Sequence, residues 1–201
     1  MKKLDKIILA SNSPRRKELL AGLDIPFEVK VIPGIDESYP DTLGAYDTAE
    51  YIARKKSSAY RELVSDGVVV LTADTVVIAP TADEQNDKEG KGVILGKPKD
   101  AEEAHAMLRM LSGKTHHVVT GVCLVSKEKE RSFSVVTEVT FKHLTDEEID
   151  YYVAHYKPFD KAGAYGIQEW IGYVGCTGLK GSYFNVMGLP VQRIYEELQK
   201  I

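Results

Sequence analysis

Three consecutive basic residues stand where a helix is predicted to begin. The apolar run Ile7–Ala10 predicts a buried strand, and Ser11–Lys17 follows it as Ser-Asn-Ser-Pro-Arg-Arg-Lys. Ser13 suits the N-cap, and proline suits the first helical position. Each cation at a helix start costs about 0.3–1 kcal/mol, so three of them suggest a bound anion. Ser13, Arg15 and Arg16 are therefore candidate phosphate ligands; the alternative is a surface helix start with solvated bases.

A single carboxylate interrupts an apolar strand. Asp74 lies within Leu71–Ile78, where most of its neighbours are apolar. Burial of an unpaired carboxylate is costly, so Asp74 must be paired, ligate a metal or be protonated. An aspartate held beside cations and a metal could orient and deprotonate a water molecule. The alternative is a structural aspartate that accepts backbone N–H groups.

Three further groups of residues could complete a phosphate site. Asp36 and Glu37 share a loop and could hold Mg²⁺, which binds through one or two carboxylates together with substrate phosphates. Lys56 and Lys97 could act as phosphate point charges, although spacing alone favours solvated surface lysines. Gln168 follows a run of small residues and offers a donor and an acceptor to a base edge; the alternative is a tight packing turn.

The elements that must position these residues alternate between strands and helices. Strands are predicted at Phe27–Ile32 and Val68–Ala79, and a hairpin at Thr115–Ser126 with Arg131–Phe141. Helices are predicted at Arg15–Leu20, Thr48–Val64, Ala101–Leu111 and Val191–Lys200, and another, capped by Thr145, ends near Tyr156. Pro80–Gly92 is predicted to be an exposed hairpin or loop. The fold class is α/β, a mixed sheet flanked by helices, with no linker dividing residues 1–201.

The composition argues against several classes of protein. The chain has 201 residues and a formal net charge of -4, which disfavours non-specific binding of nucleic acid. It has no run of about 18 apolar residues, so no membrane-spanning helix is expected. Two distant cysteines favour a reducing cytoplasm. Kinase, zinc-module and serine-hydrolase motifs are absent, and the five histidines lack metal-ligand spacing.

Taken together, these segments resemble the Maf family of nucleotide pyrophosphatases. The matching segments follow in order: LASNSPRRKELL, GIDES, ARKKSSA, TADTVV, ILGKPKD, LSGKTHHVVTGV, DKAGAYGIQ and GSYFNVMGLP. The resemblance implies one Maf-like domain over 1–201, with two intertwined lobes around a deep cleft and a fold related to the inosine-triphosphate pyrophosphatases. It also implies hydrolysis of a nucleoside triphosphate to a monophosphate and pyrophosphate, assisted by Mg²⁺ or Mn²⁺. A homodimer is a family-level expectation.

The resemblance also assigns roles to individual residues. Asp74 matches the family's proton acceptor. The positions matching phosphate-binding residues are Ser13, Arg15, Arg16, Lys56 and Lys97. The family's loop glutamate matches Glu37, which we assign to the metal together with its neighbour Asp36. The family's subgroups differ at the positions of Arg15, Thr75 and Gln168, and the combination here resembles the dTTP/UTP pyrophosphatase subgroup.

Two other functions stay open from the sequence. A regulator of septum formation could bind nucleotide or DNA in the same cleft without essential catalysis. A related enzyme could act on inosine or xanthosine triphosphate. The segment Ala79–Gly92 departs from the family pattern because it looks longer than the usual tight hairpin, and it leads into Lys97.

Overall fold

One mixed sheet runs through residues 5–81 and 92–201, the part of the chain that the computed structural model describes. Its strands are β1 (Lys6–Leu9), β2 (Phe27–Val29), β3 (Val68–Ala79), β4 (Val93–Leu95), β5 (Thr115–Val125), β6 (Glu130–Phe141) and β7 (Cys176–Lys180). The strand order is β2-β1-β3-β5-β6-β7, and β4 pairs with β3 off this path. The β2-β1-β3 part is parallel and the rest is antiparallel, so the predicted mixed α/β class is confirmed.

Seven α-helices accompany this sheet within the described residues. They are α1 (Pro14–Ala21), α2 (Ala45–Ser58), α3 (Ala101–Leu111), α4 (Asp146–Tyr156), α5 (Trp170–Gly175), α6 (Tyr183–Met187) and α7 (Val191–Leu198). Short 3₁₀ turns occur at Arg61–Leu63 and Ala162–Ala164. None of the helices in this part of the chain is both long and apolar enough to cross a membrane.

The long strand β3 is left without a neighbouring strand over part of one edge. On that edge β1 pairs with residues 68–71 and β4 pairs with residues 77–79. The opposite edge is paired with β5 from Val70 to Ile78. Between β1 and β4, residues 72–76 of β3 therefore face a gap in the sheet as far as the described residues show. Asp74 lies in the middle of this gap.

The two faces of β3 are covered by different helices. Successive side chains of a strand point to opposite faces, so Leu71 and Ala73 share one face while Val76 and Ile78 share the other. The first face packs against residues of α1 and α7, and the second packs beneath α2. Each fully buried aliphatic side chain contributes about 1.5–3 kcal/mol relative to exposure. Both faces are therefore anchored, and the strand between them is a rigid support for Asp74.

Gly121 lets α2 approach the sheet closely, and replacing it with alanine tests how closely. A Cβ at this position would lie 2.2 Å from the backbone C of Ala49 and the backbone N of Glu50. Because a helix backbone must move to accept it, we expect Gly121→Ala to lower the free energy of unfolding by about 1–3 kcal/mol or more. Equilibrium urea unfolding measures the change. Gly96→Ala is the control, since a Cβ there meets nothing within 4 Å; equal stability of the two variants would contradict the packing argument.

Several predicted boundaries were wrong, each for a local reason. Helix α2 runs over Ala45–Ser58 rather than Thr48–Val64. It ends early because Tyr60 turns inward, is 2% exposed, and accepts a hydrogen bond from the backbone N of Ile32 at 2.9 Å. Strand β2 stops at Val29 because its partner β1 ends at Leu9.

The glycine-rich segment after Pro158 holds elements that the sequence did not predict. Helices α5 and α6 and the edge strand β7 all lie there, where frequent glycines hide any period. The predicted exposed loop at Pro80–Gly92 falls mostly on residues 82–91, which lie outside the described residues.

Candidate active site

A cavity of about 500 Å³ opens at the gap in the sheet. Its walls are the β1–α1 loop, the exposed edge of β3, the loop after β2 and the segment after Pro158. The predicted site residues that line it are Ser13, Arg15, Arg16, Glu37, Lys56, Asp74, Thr75, Lys97 and Gln168. The fold thus brings together side chains that are separated by up to 155 positions in the chain.

Lys56 links two carboxylates at the centre of this cavity. Its Nζ lies 2.8 Å from Oδ1 of Asp74 and 3.0 Å from Oε1 of Glu37. The side chains of Lys56 and Asp74 are 13% and 16% exposed, whereas Glu37 is 56% exposed. Asp74 is therefore a paired, largely buried carboxylate in the cavity lining, the first of the three states that the sequence left open. The expectation from spacing alone that Lys56 is a solvated surface residue was wrong, because α2 turns it onto β3.

The N-terminus of α1 offers few backbone donors to a ligand. Ser13 is the N-cap, and its Oγ accepts the backbone N–H of Arg16 at 3.3 Å. Pro14 has no N–H, and the N–H of Lys17 bonds to the carbonyl of Ser13 at 3.1 Å. In this first turn the backbone N–H of Arg15 remains for a ligand. An anion here would be bound chiefly by side chains, including the Ser13 hydroxyl, whose proton is not used in the cap.

The three cations of this turn have different surroundings. Arg15 lines the cavity, and its Nη1 lies 3.0 Å from Oδ2 of Asp160. Lys17 is exposed and is not among the cavity residues. Arg16 lines the cavity but is committed to the protein: Nε donates to Gly188 O at 2.8 Å and Nη1 to Ala73 O at 2.8 Å.

Arg16 fills the gap that β1 leaves beside β3. By bonding to the carbonyl of Ala73 it takes the place of the strand residue that would continue β1, and its Nη2 donates to Thr75 Oγ1 at 3.0 Å. Burial lowers the pKa of Arg16 from its usual value, while Asp74 opposes this shift. Of the five guanidinium N–H donors, three serve the protein, so Arg16 braces the cavity wall in addition to lining it.

A second ion-pair network supports Arg15 from the other side of the cavity. Asp160 Oδ1 lies 2.8 Å from Nζ of Lys161, which in turn lies 3.1 Å from Oε1 of Glu169. The Tyr152 hydroxyl donates to Glu169 and accepts the backbone N–H of Gly166 at 3.0 Å. Burial alone would raise the pKa of Asp160, but the contacts with Lys161 and Arg15 lower this pKa to about 2. Arg15 is thus fixed by an ionised partner.

The remaining predicted residues divide between the cavity and its surroundings. Thr75 and Gln168 line the cavity, and the buried Oε1 of Gln168 has no hydrogen-bond partner among the described residues. Lys97 lines it as well. Asp36 does not: its carboxylate binds Lys55 Nζ at 2.6 Å, and this bond lowers the pKa of Asp36 to about 2.

Two carboxylates in the cavity fit a divalent cation. Within residues 5–81 and 92–201, no group of three or more His, Cys, Asp or Glu side chains is arranged to hold a metal alone. Glu37 and Asp74 nevertheless converge on the same ammonium group from two different elements. Mg²⁺ commonly binds through one or two carboxylates and completes its octahedron with phosphate oxygens and water. The donor set therefore fits a metal that arrives with a phosphate ligand.

Sequence reasoning missed the residues that support the site from behind. Asp160 and Thr120 contact predicted site residues and Lys161 pairs with Asp160, but nothing in their spacing indicates this. Lys161 is only 8% exposed, and a buried lysine cannot be told from a surface lysine in one sequence. Thr120 looks like any β-branched residue of an apolar strand.

The fold and the cavity define a mixed α/β protein whose central strand presents a carboxylate to a pocket that is also lined by cationic side chains. The sequence profile of the family described as Maf-like protein matches residues 6–201. The chain belongs to the Maf family.

Named relatives cover nearly the whole chain. A dTTP/UTP pyrophosphatase of Phocaeicola vulgatus is 59% identical over 98% of this chain and 96% of its own length. A dTTP/UTP pyrophosphatase of Parabacteroides distasonis is 54% identical over 96% of this chain and 95% of its own length. Among solved structures, a HAM1 protein from Coxiella burnetii is similar at a TM-score of 0.47 and 17% identity, covering 98% of this chain and 99% of that one.

Proposed function

We propose that this chain hydrolyses dTTP and UTP between the α- and β-phosphates, releasing the nucleoside monophosphate and pyrophosphate. The observation that carries the proposal is the Lys56 bridge between Asp74 and Glu37 inside a cavity that Arg15 and Lys97 also line. The names of the relatives, 59% and 54% identical over nearly their whole length, support the choice of substrates. The cavity volume, about 500 Å³, suits a ligand of nucleotide size.

The residues of the cavity divide the work of this reaction. Arg15, Lys97 and the free proton of the Ser13 hydroxyl bind the phosphates, whose charge is spread over many oxygens. Asp74 accepts a proton from a water molecule as the water oxygen attacks the α-phosphorus. The bond from that phosphorus to the oxygen it shares with the β-phosphate breaks, and pyrophosphate leaves with the electron pair. Lys56 holds Asp74 in place and faces the negative charge that develops.

A divalent cation, Mg²⁺ or Mn²⁺, is part of the proposal. When bound, it would act as a Lewis acid that neutralises phosphate charge and as a template for the triphosphate. Glu37 and Asp74 would supply its protein ligands. Asp36 stays a proposed ligand as well. In the structure it pairs with Lys55 and does not line the cavity, so it would have to leave Lys55 to reach the metal.

The proposal predicts a binding defect when Arg15 is removed. We expect Arg15→Ala to raise KM about 10- to 100-fold with a smaller change in kcat, because a hydrogen bond to a charged group contributes about 1.5–3 kcal/mol. Steady-state kinetics of pyrophosphate release measure both constants. Lys17→Ala, an exposed cation of the same helix, is the matched control. If both variants kept the wild-type KM, Arg15 would have no part in phosphate binding.

One assay tests the function as a whole. Purified protein is incubated with Mg²⁺ and a panel of dTTP, UTP, CTP, dATP, GTP, ITP and XTP, and pyrophosphate is measured. We expect the highest kcat/KM with dTTP and UTP, and loss of activity with EDTA. Preference for ITP or XTP would replace the substrate assignment. Tight nucleotide or DNA binding without release of pyrophosphate from any nucleotide would overturn the enzyme and favour a binding regulator.

Cytoplasmic location and a homodimeric state complete the proposal. Cys123 and Cys176 are free thiols, which fits a reducing compartment. Sedimentation equilibrium would test the dimer, and cell fractionation the location. A monomer at micromolar concentration would contradict the homodimer.

A further inference from the structure

We infer that Thr120, a fully buried threonine of β5, holds the hydroxyl of Thr75 as a hydrogen-bond acceptor, so that Thr75 reads an N–H or O–H group of the nucleoside and not a phosphate oxygen. The inference rests on the proposed function and adds a positioning residue behind the cavity wall. Neither residue's neighbours in the sequence indicate such a link; the pairing of β3 with β5 creates it.

A chain of hydrogen bonds connects the cavity to the protein interior. Arg16 Nη2 donates to Thr75 Oγ1 at 3.0 Å, and Thr75 Oγ1 lies 3.0 Å from Thr120 Oγ1. Thr120 Oγ1 then donates to the backbone carbonyl of Asn185 at 3.2 Å. Thr120 and Asn185 are both 0% exposed, so water does not compete for these bonds.

The number of available protons decides which residue donates in each of these hydrogen bonds. Each threonine hydroxyl has one proton, and the carbonyl of Asn185 can only accept. If the Thr120 proton pointed to Thr75 instead, the Thr120 hydroxyl oxygen would face the carbonyl oxygen of Asn185 at 3.2 Å with no proton between them, a costly contact in the interior. Thr120 therefore donates to Asn185, and Thr75 donates to Thr120. The Thr75 oxygen accepts from Arg16 and keeps one lone pair for a ligand.

Asn185, the last residue of this series of hydrogen bonds, cannot rotate to relax the constraint. The side-chain Nδ2 of Asn185 lies 3.2 Å from Val118 O, 3.1 Å from Val135 O and 3.0 Å from Thr137 Oγ1. Its backbone carbonyl also accepts the N–H of Gly188 at 2.9 Å. Asn185 is thereby tied to both strands of the β5–β6 hairpin, and the acceptor that it offers to Thr120 stays in place.

Among the groups of a nucleotide, only a hydrogen-bond donor can bond to the lone pair that remains on Thr75. Ionised phosphate oxygens carry no proton, so they would meet an acceptor there. The donors that dTTP and UTP share are the imide N3–H of the base and the 3′-hydroxyl of the sugar. Gln168 lines the same cavity and has a buried oxygen without a partner among the described residues, which suits a second donor on the ligand.

Nucleotides that lack one donor each distinguish these sources. N3-methyl-UTP lacks the imide proton and 3′-deoxy-UTP lacks the 3′-hydroxyl, whereas dUTP lacks only the 2′-hydroxyl, which dTTP also lacks, and serves as the control. With the wild-type protein, we expect kcat/KM to fall about 10-fold for the analogue whose missing donor Thr75 accepts, the effect of one buried hydrogen bond. With Thr75→Val that analogue should show no further loss relative to UTP.

Thr120→Val tests the positioning role, because valine keeps the shape and removes the hydroxyl. The Thr75 proton then loses its acceptor and can turn toward the ligand, so the penalty for the same analogue should shrink and kcat/KM for UTP should fall about 10-fold. Thr120→Ser restores the hydroxyl and should restore both values. Thr72→Val is the matched control: Thr72 is a fully buried threonine of β3 whose hydroxyl donates to Ala53 O at 2.7 Å.

The outcomes separate this inference from the proposed function. Turnover of UTP by the wild-type protein tests the function by itself. Given turnover, the inference is overturned if no analogue is penalised, if the penalty persists in Thr75→Val, or if Thr120→Val behaves like the wild type with every analogue. Should Thr120→Val fail to fold, Thr120→Ala, which also removes the hydroxyl, is compared with Thr120→Ser across the same analogues, and equal behaviour of the two overturns the inference.

Discussion

Asp74→Asn is expected to lower kcat by about 10²- to 10⁴-fold, the usual contribution of a positioned general base. Asparagine keeps the size of the side chain and a contact with Lys56, but it cannot accept the proton of water at neutral pH. The side chain is largely buried on a strand that is anchored on both faces, so the substitution should leave the cavity intact. Nucleotide binding, measured by calorimetry with a non-hydrolysable α,β-analogue, should change far less than turnover.

The control for this variant is an aspartate outside the cavity. Asp66 is exposed, pairs with Lys127 and does not line the cavity, so Asp66→Asn should keep wild-type kinetics. Near-normal turnover by Asp74→Asn would remove Asp74 from the role of base. A parallel loss of turnover and of analogue binding would indicate that Asp74 acts only as a ligand of the metal and not also as the base.

Lys56→Gln is expected to lower kcat/KM by about 10²- to 10³-fold, the scale seen when one donor to developing negative charge is removed. The ammonium group of Lys56 lies between two carboxylates, Asp74 at 2.8 Å and Glu37 at 3.0 Å. Without it, both acids and the triphosphate would share one cavity with less positive charge, and the largely buried Asp74 would lose its ion-pair partner. Pyrophosphate release at several Mg²⁺ concentrations measures the effect and shows whether added metal compensates.

The neighbouring lysine provides a matched comparison. Lys55 lies on the same helix and pairs with Asp36 beside Glu37, yet it does not line the cavity. Lys55→Gln should therefore stay close to wild type, since an exposed ion pair contributes little. Equal losses in the two variants would contradict a specific role for Lys56 and point to the general positive charge of α2.

The sequence pointed to two residues of the cavity because their placement is unfavourable by local rules. A carboxylate inside an apolar strand and three cations at a helix start are each unfavourable without a partner, and both Asp74 and Arg15 lie in the cavity. The N-cap Ser13 and the capping box of Thr145 and Glu148 were also predicted, since capping depends on neighbours within one helical turn. Both caps are present in the structure, so these two predictions are confirmed.

Other roles depend on which residues lie close together in space, and the sequence alone could not predict them. Arg16 and Arg15 are adjacent and chemically identical, yet one is tied to Gly188, Ala73 and Thr75 while the other pairs with Asp160. That difference follows from where α1 rests against β3, which no local pattern encodes.

By itself, the sequence determined the class of sheet, most of the helices and the residue types that could handle phosphate, because hydrophobic period, capping and charge placement are local properties of the chain. Tertiary structure alone decided which of those charges meet. Because β1 pairs with β3 only as far as Leu71 and β4 pairs with it only from Val77 onward, part of β3 has no strand neighbour on that edge, and Asp74, Lys56 and Glu37 come together at that gap. Strand register is set by the packing of the whole sheet, so the gap and the pairing across it arise only when the chain folds.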